Sequence, residues 1–289
     1  MDGWCENVPC YSWDDFVNKV HKLPQNKFFY RGQSDDKQPL RSSFDRAVDA
    51  SQSLVRERWQ YEAAILREFK RRAHHYILDA PAKNDLLEWL SLMRHHGAPT
   101  RLVDFTYSHY IASYFAFCEL TCEPRVVWAI NKDWLSEKSR ERCRIILKGP
   151  SNVQVDLHDP ETFIKCFLAL DNKSGTSHCF VADLNAERMN TRLTVQQGFF
   201  LCSGNIERTF DENLKGLDSK ESCQKHIIKF VIPHCARNDA LRELRHMNIS
   251  KATLFPDLGG LAASLNDRFE QLFKDYNIPE QTLKRVYEF

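Results

Sequence analysis

Residues Met93–Thr106 read "MRHHGAPTRLVDFT", and the fold turns on where this stretch changes its periodicity. Before it, "DLLEWLSLMRHH" carries apolar residues at helical spacing, with Asn84 as its expected N-cap. Gly97 suits the left-handed residue after a helix end, and Pro99 forbids continuation. "TRLVDF" is then extended. "SHYIASYFAFCEL" returns to helix, capped by Ser108, with Ile111, Phe115 and Cys118 in step and Ala112 and Ala116 permitting close packing. Helix, strand and helix within so few residues predict a mixed architecture.

The same stretch crowds reactive side chains together. Zinc binding by His95 and His96 fails on geometry, because adjacent helical positions point about 100° apart and no HExxH or cysteine partner accompanies them. A nucleophile–His–Asp set would need a nucleophile elbow, and there is no GxSxG. Two readings stay open. One is a packed turn, with Asp104 pairing with Arg101 or capping the next helix. The other is a ligand loop, since Arg, Thr and Asp at a helix end suit phosphate or ribose.

Working outward, Ser12 and Asp15 predict a helix start, with Phe16, Val20 and Leu23 on one face and Pro24 ending it. "KFFYRGQ" (Lys27–Gln33) reads as a strand. "SQSLVRERWQYEAAILREFKRRAHHYI" reads as one long helix with Leu54, Trp59, Ala63, Leu66 and Phe69 on its apolar side. Its basic side (Arg56, Arg58, Arg67, Lys70, Arg71, Arg72) is a solvated face or a nucleic-acid patch. Downstream, "RVVWAIN", "SHCFVAD", "RLTVQQGFFLCSG" and "KHIIKFVIP" read as strands. Helices are expected near 161–171, 236–247 and 258–275. The elements interleave without βαβ periodicity, and neither GxGxxG nor GxxxxGK[ST] is present. The expected class is α+β, against a dinucleotide-fold or P-loop protein.

Composition narrows the function classes. The chain of 289 residues is 43% hydrophobic and 27% charged, ordinary for a soluble globular protein. A net charge of +1 excludes a whole-molecule electrostatic trap for nucleic acid and leaves room for a local basic groove. The ten cysteines form no CxxC, and Cys166, Cys179 and Cys202 sit inside apolar runs, so reduced, mostly buried thiols are expected rather than disulfides or a metal site. The start "MDGWCENVPCYSWDDF" has neither a basic nor an apolar signal region, and no stretch approaches the roughly 20 apolar residues of a membrane helix. The expectation is a cytoplasmic protein with no membrane partner.

Two further constellations carry chemistry. In "YRGQS" (Tyr30–Ser34) an arginine at a strand end, followed by glycine, is open to bidentate contact with phosphate or carboxylate; an arginine merely exposed in a turn would look the same. In "RLTVQQGFFLCSG", Gln196, Gln197 and Gly198 interrupt a hydrophobic run. Burying such amides costs roughly 1–3 kcal/mol per unsatisfied group, so they face solvent or line a site.

Taken together these pieces resemble the FRG domain family, named for a Phe/Tyr-Arg-Gly motif. "FYRGQSD" (Phe29–Asp35) matches that motif. "LRSSFDR" (Leu40–Arg46) is similar to a Pro-Ser-Leu-x-Arg element ending at Arg46. "HHGAPTRLVDFTYSHYIASYFA" (His95–Ala116) resembles the longest motif, a Gln-His-x-Gly-x-Pro-Thr-Arg-Leu-Leu-Asp-Trp-Thr string. "RLTVQQGFF" (Arg192–Phe200) and "LFPDLGGLAASL" (Leu254–Leu265) complete the set. The resemblance spans about residues 12–270, within a single domain over 1–289. Two positions depart from it: Arg94 stands where glutamine is usual, and Phe105 where tryptophan is usual.

The resemblance implies an α+β fold of ADP-ribosyltransferase type, a central split β-sheet flanked by helices. It implies NAD as substrate and an ADP-ribosyltransferase or NAD-consuming glycosyltransferase activity. The setting would be a bacterial toxin or anti-phage defence effector with a protein or nucleic-acid acceptor, and a cognate antitoxin or regulatory partner. The implied cofactor-binding residues are Tyr30, Arg31, Gly32, Arg46, Thr100, Arg101, Thr106, Ser108, Tyr114 and Gln197. Arg31, with Arg101, would grip the pyrophosphate, and Asp104 or Tyr114 would place the ribose. His95 or His96 would deprotonate the acceptor, and Gln196 would stand where an acid is common. The alternatives are a non-catalytic nucleotide- or nucleic-acid-binding (DNA-binding) module that keeps the cleft, and a different enzyme, such as a hydrolase, on the same cleft.

Overall fold

The computed structural model describes residues 3–51, 57–148, 155–157, 159–167, 178–185 and 191–265. The N-terminal part runs β1 (Glu6–Pro9), α1 (Trp13–His21), β2 (Phe28–Gln33), α2 (Ser43–Ala50), α3 (Arg58–Ala73), α4 (Leu86–His95), β3 (Leu102–Thr106), α5 (His109–Phe117) and β4 (Arg125–Asn131). It continues with α6 (Lys132–Ile146), α7 (Pro160–Phe167), β5 (Val181–Leu184), α8 (Thr191–Val195), β6 (Gly198–Ser203), α9 (Phe210–Lys215), α10 (Lys220–His226), β7 (Ile227–Ile232), α11 (Arg237–His246) and α12 (Lys251–Leu254). Residues 258–265 are again helical.

Among the described residues the strands form one open seven-stranded sheet in the order β1-β7-β4-β2-β3-β6-β5. Only β1 and β7 run parallel; every other neighbouring pair is antiparallel. Its two parts are unequally joined. β2 pairs with β4 from Phe28↔Asn131 to Gln33↔Val126, and β3 with β6 from Leu102↔Cys202 to Thr106↔Gly198. Between β2 and β3 the only registered pair is Tyr30↔Thr106. One step along, the Arg31 side chain donates from Nη1 to the Asp104 carbonyl at 2.6 Å, standing where a ladder bond would be.

Period-two alternation divides the core. Phe28 and Tyr30, Val127 and Ala129, and Ile228, Phe230 and Ile232 pack with α1, α5 and α11. Phe29, Val126, Trp128 and Ile130 join the other cluster, with β3, β5, β6 and side chains of α4, α6, α7 and α9. α5 seats directly on β2: a Cβ on Gly32 would lie 1.8 Å from the Ala112 carbonyl oxygen and 2.6 Å from Ala116 N. Ala112 and Ala116 thus allow the close packing expected of them.

Local signals fixed several elements. Ser12 accepts from Asp15 N and starts α1; Ser108 accepts from Ile111 N and starts α5. Gly97, with φ of 81°, ends α4. Other expectations are corrected. α4 is capped by Asp85, which accepts from Glu88 N, and not by Asn84. α3 begins at Arg58; Leu54 and Arg56 lie outside the described residues. Its Trp59 and Ala63 are exposed and its buried polar residue is Glu62, because the partner that Glu62 meets comes from another element. "RLTV" is a helical turn, α8, and not strand: Gln197 adopts φ of 45° and swings the chain into β6 at Gly198. The helix expected over 161–171 is α7, with 168–171 outside the described residues, as is 266–275 of the last helix. α2, α6, α9 and α10 were not foreseen. α6, "KDWLSEKSRERCRII", is charged over most of its length and shows only a thin apolar stripe.

All ten cysteines are free, with Cys166 and Cys202 buried. No helix among the described residues is long and apolar enough to cross a membrane.

Candidate functional site

A cleft of about 340 Å³ lies against β2, lined by Arg31 and Gln33 of β2, Gln38, Arg41, and Arg46 and Asp49 of α2. Arg31, bonded to the Asp104 carbonyl, connects it to β3. The Gln33 amide donates to the carbonyls of Asp35 and Gln38 and receives Trp128 Nε1 at 3.1 Å, so β4 holds the loop that forms one wall. α2 is held by a capping box between Ser42 and Asp45. Asp45 also pairs with Arg58 and accepts from Phe210 N at 3.1 Å.

Asp104 lies at the centre of the charges. Both hydrogen bonds from Arg94, Nε at 2.9 Å and Nη2, go to its Oδ2. Its side chain is 36% exposed, and Oδ1 has no partner among the described residues. Burial favours the neutral acid, but Arg94, then Arg31 and Arg192, outweigh it and hold the carboxyl below the usual range. Burial pulls the Arg31 pKa down to about 10 despite Asp104, with Arg94 and Arg46 adding repulsion; the guanidinium stays charged at neutral pH. Burial and Arg94 likewise lower Arg46. Arg192, on α8, is lowered by burial and stabilised by Asp104 and Asp257. Four guanidiniums thus share the field of one carboxylate, and such a field suits an anion.

His95 is half-buried, with its pKa lowered by burial, His96 and Arg192, so it is neutral at pH 7; Asp257 opposes this. His96 is exposed and meets His95 edge-on, with ring centroids 4.7 Å apart. The histidines therefore border the charge cluster on its Arg192 side.

Several expected site residues are occupied elsewhere. Arg101 is buried, donates from Nε to Glu62 Oε1 at 2.7 Å and from Nη1 to the Phe167 carbonyl at 2.9 Å, and cannot reach the cleft. Asp104 therefore pairs with Arg94 and not with Arg101, and Ser108 caps the next helix. Thr100 is fully buried, its backbone bonded to Ser43 and Phe44. Thr106 Oγ1 donates to the Gln196 carbonyl at 2.8 Å, and Gln196 Nε2 donates to the Leu254 carbonyl at 2.9 Å, so this amide is a brace between α8 and α12. Gln197 is exposed, and its carbonyl accepts from Tyr107 N. Tyr30 and Tyr114 are buried in the α5-side core, and Gly32 is the contact point of α5. These are positioning roles.

Sequence reading missed Arg94, Arg192 and Asp257 as site residues. Arg94 was visible as a departure from the usual glutamine, four residues before Ala98 and ten before its partner. Elsewhere, the basic side of α3 divides. Arg58 is largely buried against Asp45 and Lys70 is half-buried over the Trp89 ring, while Arg67, Arg71 and Arg72 are exposed, the last two pairing with Glu68 on the same helix. The carboxylates of Asp35, Asp36 and Glu123 lie within 4.8 Å of one another, and Lys37 supplies their cation, 2.8 Å from Glu123.

No curated protein and no solved structure matches the chain. Arg31, Arg46, Arg94 and Asp104 all fall within residues 26–123, the stretch that matches the model of the FRG domain family.

Proposed function

We propose that the chain is an NAD-consuming, ADP-ribosyltransferase-like enzyme that acts as a toxin or anti-phage defence effector on a protein or nucleic-acid acceptor in the cytoplasm. The observation that carries the reading is the cleft lined by Arg31, Arg41 and Arg46, two of whose arginines, Arg31 and Arg46, also lie in the field of the Arg94–Asp104 pair. The choice of NAD rests on the motif resemblance. In this reading Arg31 and Arg46 hold the phosphates by charge-assisted bonds. Asp104 Oδ1 accepts from a ribose hydroxyl and stabilises positive charge as the nicotinamide–ribose bond breaks and nicotinamide leaves with the electron pair. The acceptor nucleophile then bonds C1′ and gives its proton to neutral His95. Catalysis is chiefly positioning and electrostatics.

A second reading, nucleotide binding without chemistry, is favoured by one observation: the Gln196 amide is committed to Leu254 and brings no acid to the cleft. One experiment separates the two. The protein is incubated with adenylate-labelled NAD and cell extract, and nicotinamide release and label transfer are measured. The expected result is turnover by wild type, lost in Asp104→Asn. Arg31→Ala should bind NAD about 10–100-fold more weakly, as losing a charge-assisted bond of roughly 1.5–3 kcal/mol requires. NAD bound but unconsumed selects the second reading. No binding, with Arg31→Ala indistinguishable from wild type, removes both.

A further inference from the structure

Arg192 is the one guanidinium of the cluster without a hydrogen bond or ion pair among the described residues. It is half-buried on α8, and its Cζ lies 4.4 Å from the centroid of the Phe255 ring. Stacking fixes the plane of a guanidinium and leaves its N–H edge free. Lys251 Nζ lies 4.0 Å from the same centroid and also has no hydrogen-bonded acid among the described residues. Two cations therefore rest on one aromatic ring. Asp257 stabilises Arg192 only through space. A partly desolvated cation without a partner costs free energy that a bound anion recovers.

We propose that Arg192 and Lys251, organised by Phe255, form a second phosphate-binding position. It lies on the α8 side of the Arg94–Asp104 pair, whereas Arg31 and Arg46 lie on the β2–α2 side. The inference rests on the reading that the Arg31 cleft takes a phosphate, and it specifies the ligand class: one carrying two linked phosphoryl groups rather than one. Arg192 thus does what the buried Arg101 cannot. Arg31 and Arg192 both lie in the field of Asp104 and Arg94, so the two positions border one charge cluster and a diphosphate is held from two sides.

The test uses the full chain and inorganic pyrophosphate and orthophosphate as probes, titrated calorimetrically. Wild type should prefer pyrophosphate. Arg192→Gln should lower pyrophosphate affinity about tenfold and change orthophosphate affinity less than twofold, whereas Arg31→Gln should weaken both. Arg192→Lys should fall between wild type and Arg192→Gln, because it keeps the charge and loses the fork. Circular dichroism confirms folding, and Lys251→Gln, with a several-fold loss expected, serves if the arginine variants do not fold. Wild-type pyrophosphate affinity in the folded variants, or no preference of wild type for pyrophosphate, overturns the proposal. A pyrophosphate effect that persists in a protein that never consumes NAD leaves this site standing and removes the enzymatic reading.

Discussion

At the scale of single residues, the arginines show how the same side chain takes opposite roles. Arg101 belongs to the motif and is buried against Glu62, where it joins α3 to β3. Arg94 departs from the motif and reaches the Asp104 carboxylate. Nothing in the spacing distinguishes them, because the difference lies in which element each guanidinium meets. Gly32 is sharper. Its Cβ position is filled by the backbone of α5, and backbone atoms cannot yield without moving the helix. Gly32→Ala should therefore destabilise the protein by about 3 kcal/mol, seen as a lowered urea midpoint with the slope preserved. An unchanged midpoint would show that α5 has room to shift.

At the scale of elements, α5 ties the sheet junction to the α1 side of the core. Its first turn is closed by Ser108, whose hydroxyl accepts from Ile111 N at 3.3 Å while its own N–H donates to Thr106 Oγ1 at 3.1 Å. Ser108 caps a helix, and nothing about it requires a ligand. Ser108→Ala should cost about 1 kcal/mol, a fall in Tm of roughly 2–4 °C, with phosphate binding at Arg31 retained. Loss of binding out of proportion to the Tm change would restore a ligand-contacting role. The caps at Ser12 and Ser108 and the stop at Gly97 were legible because each is a short-range backbone event. α6 and α8 were not: one is charged at eight of its fifteen positions with only a thin apolar stripe, and the other is five residues whose β-branched content favours strand.

At the scale of the whole molecule, stability should depend on pH through His109. Its ring packs against those of His21, Tyr30 and Tyr110, its Nε2 is buried without a partner, and burial with His21 lowers its pKa to about 4. An unfolded histidine titrates near 6.5, so between the two values the unfolded chain binds the extra proton. Unfolding free energy should then be constant above about pH 6.5, fall towards about pH 4 by up to about 1.4 kcal/mol per unit, and level off below as far as this group is concerned. Asp104, also depressed, adds its loss only in the carboxylate range below that window. Denaturation series across these pH values test the slope, and His109→Asn should reduce it, leaving the smaller same-sign contributions of His95 and His226, whose pKa values burial also lowers. A slope identical to wild type would place the titrating group elsewhere.

The amino-acid sequence by itself determined the FRG motifs, the α+β class, and the helix caps and strands whose signals lie within a few residues. It did so because hydrogen-bonding side chains, glycine at positive φ and period-two alternation act locally. It singled out Arg31 through the motif resemblance, since the spacing alone fits an exposed turn arginine equally well. Only the tertiary structure decided that one registered pair joins β2 to β3 and that Arg101 is spent in the core. The same holds for the brace at Gln196 and for the meeting of Arg94, Arg31 and Arg192 around Asp104, with Asp257 facing Arg192. The reason is range. A carboxylate chooses among arginines by where the sheet and helices deliver them, and those deliveries join residues separated by up to the length of the domain.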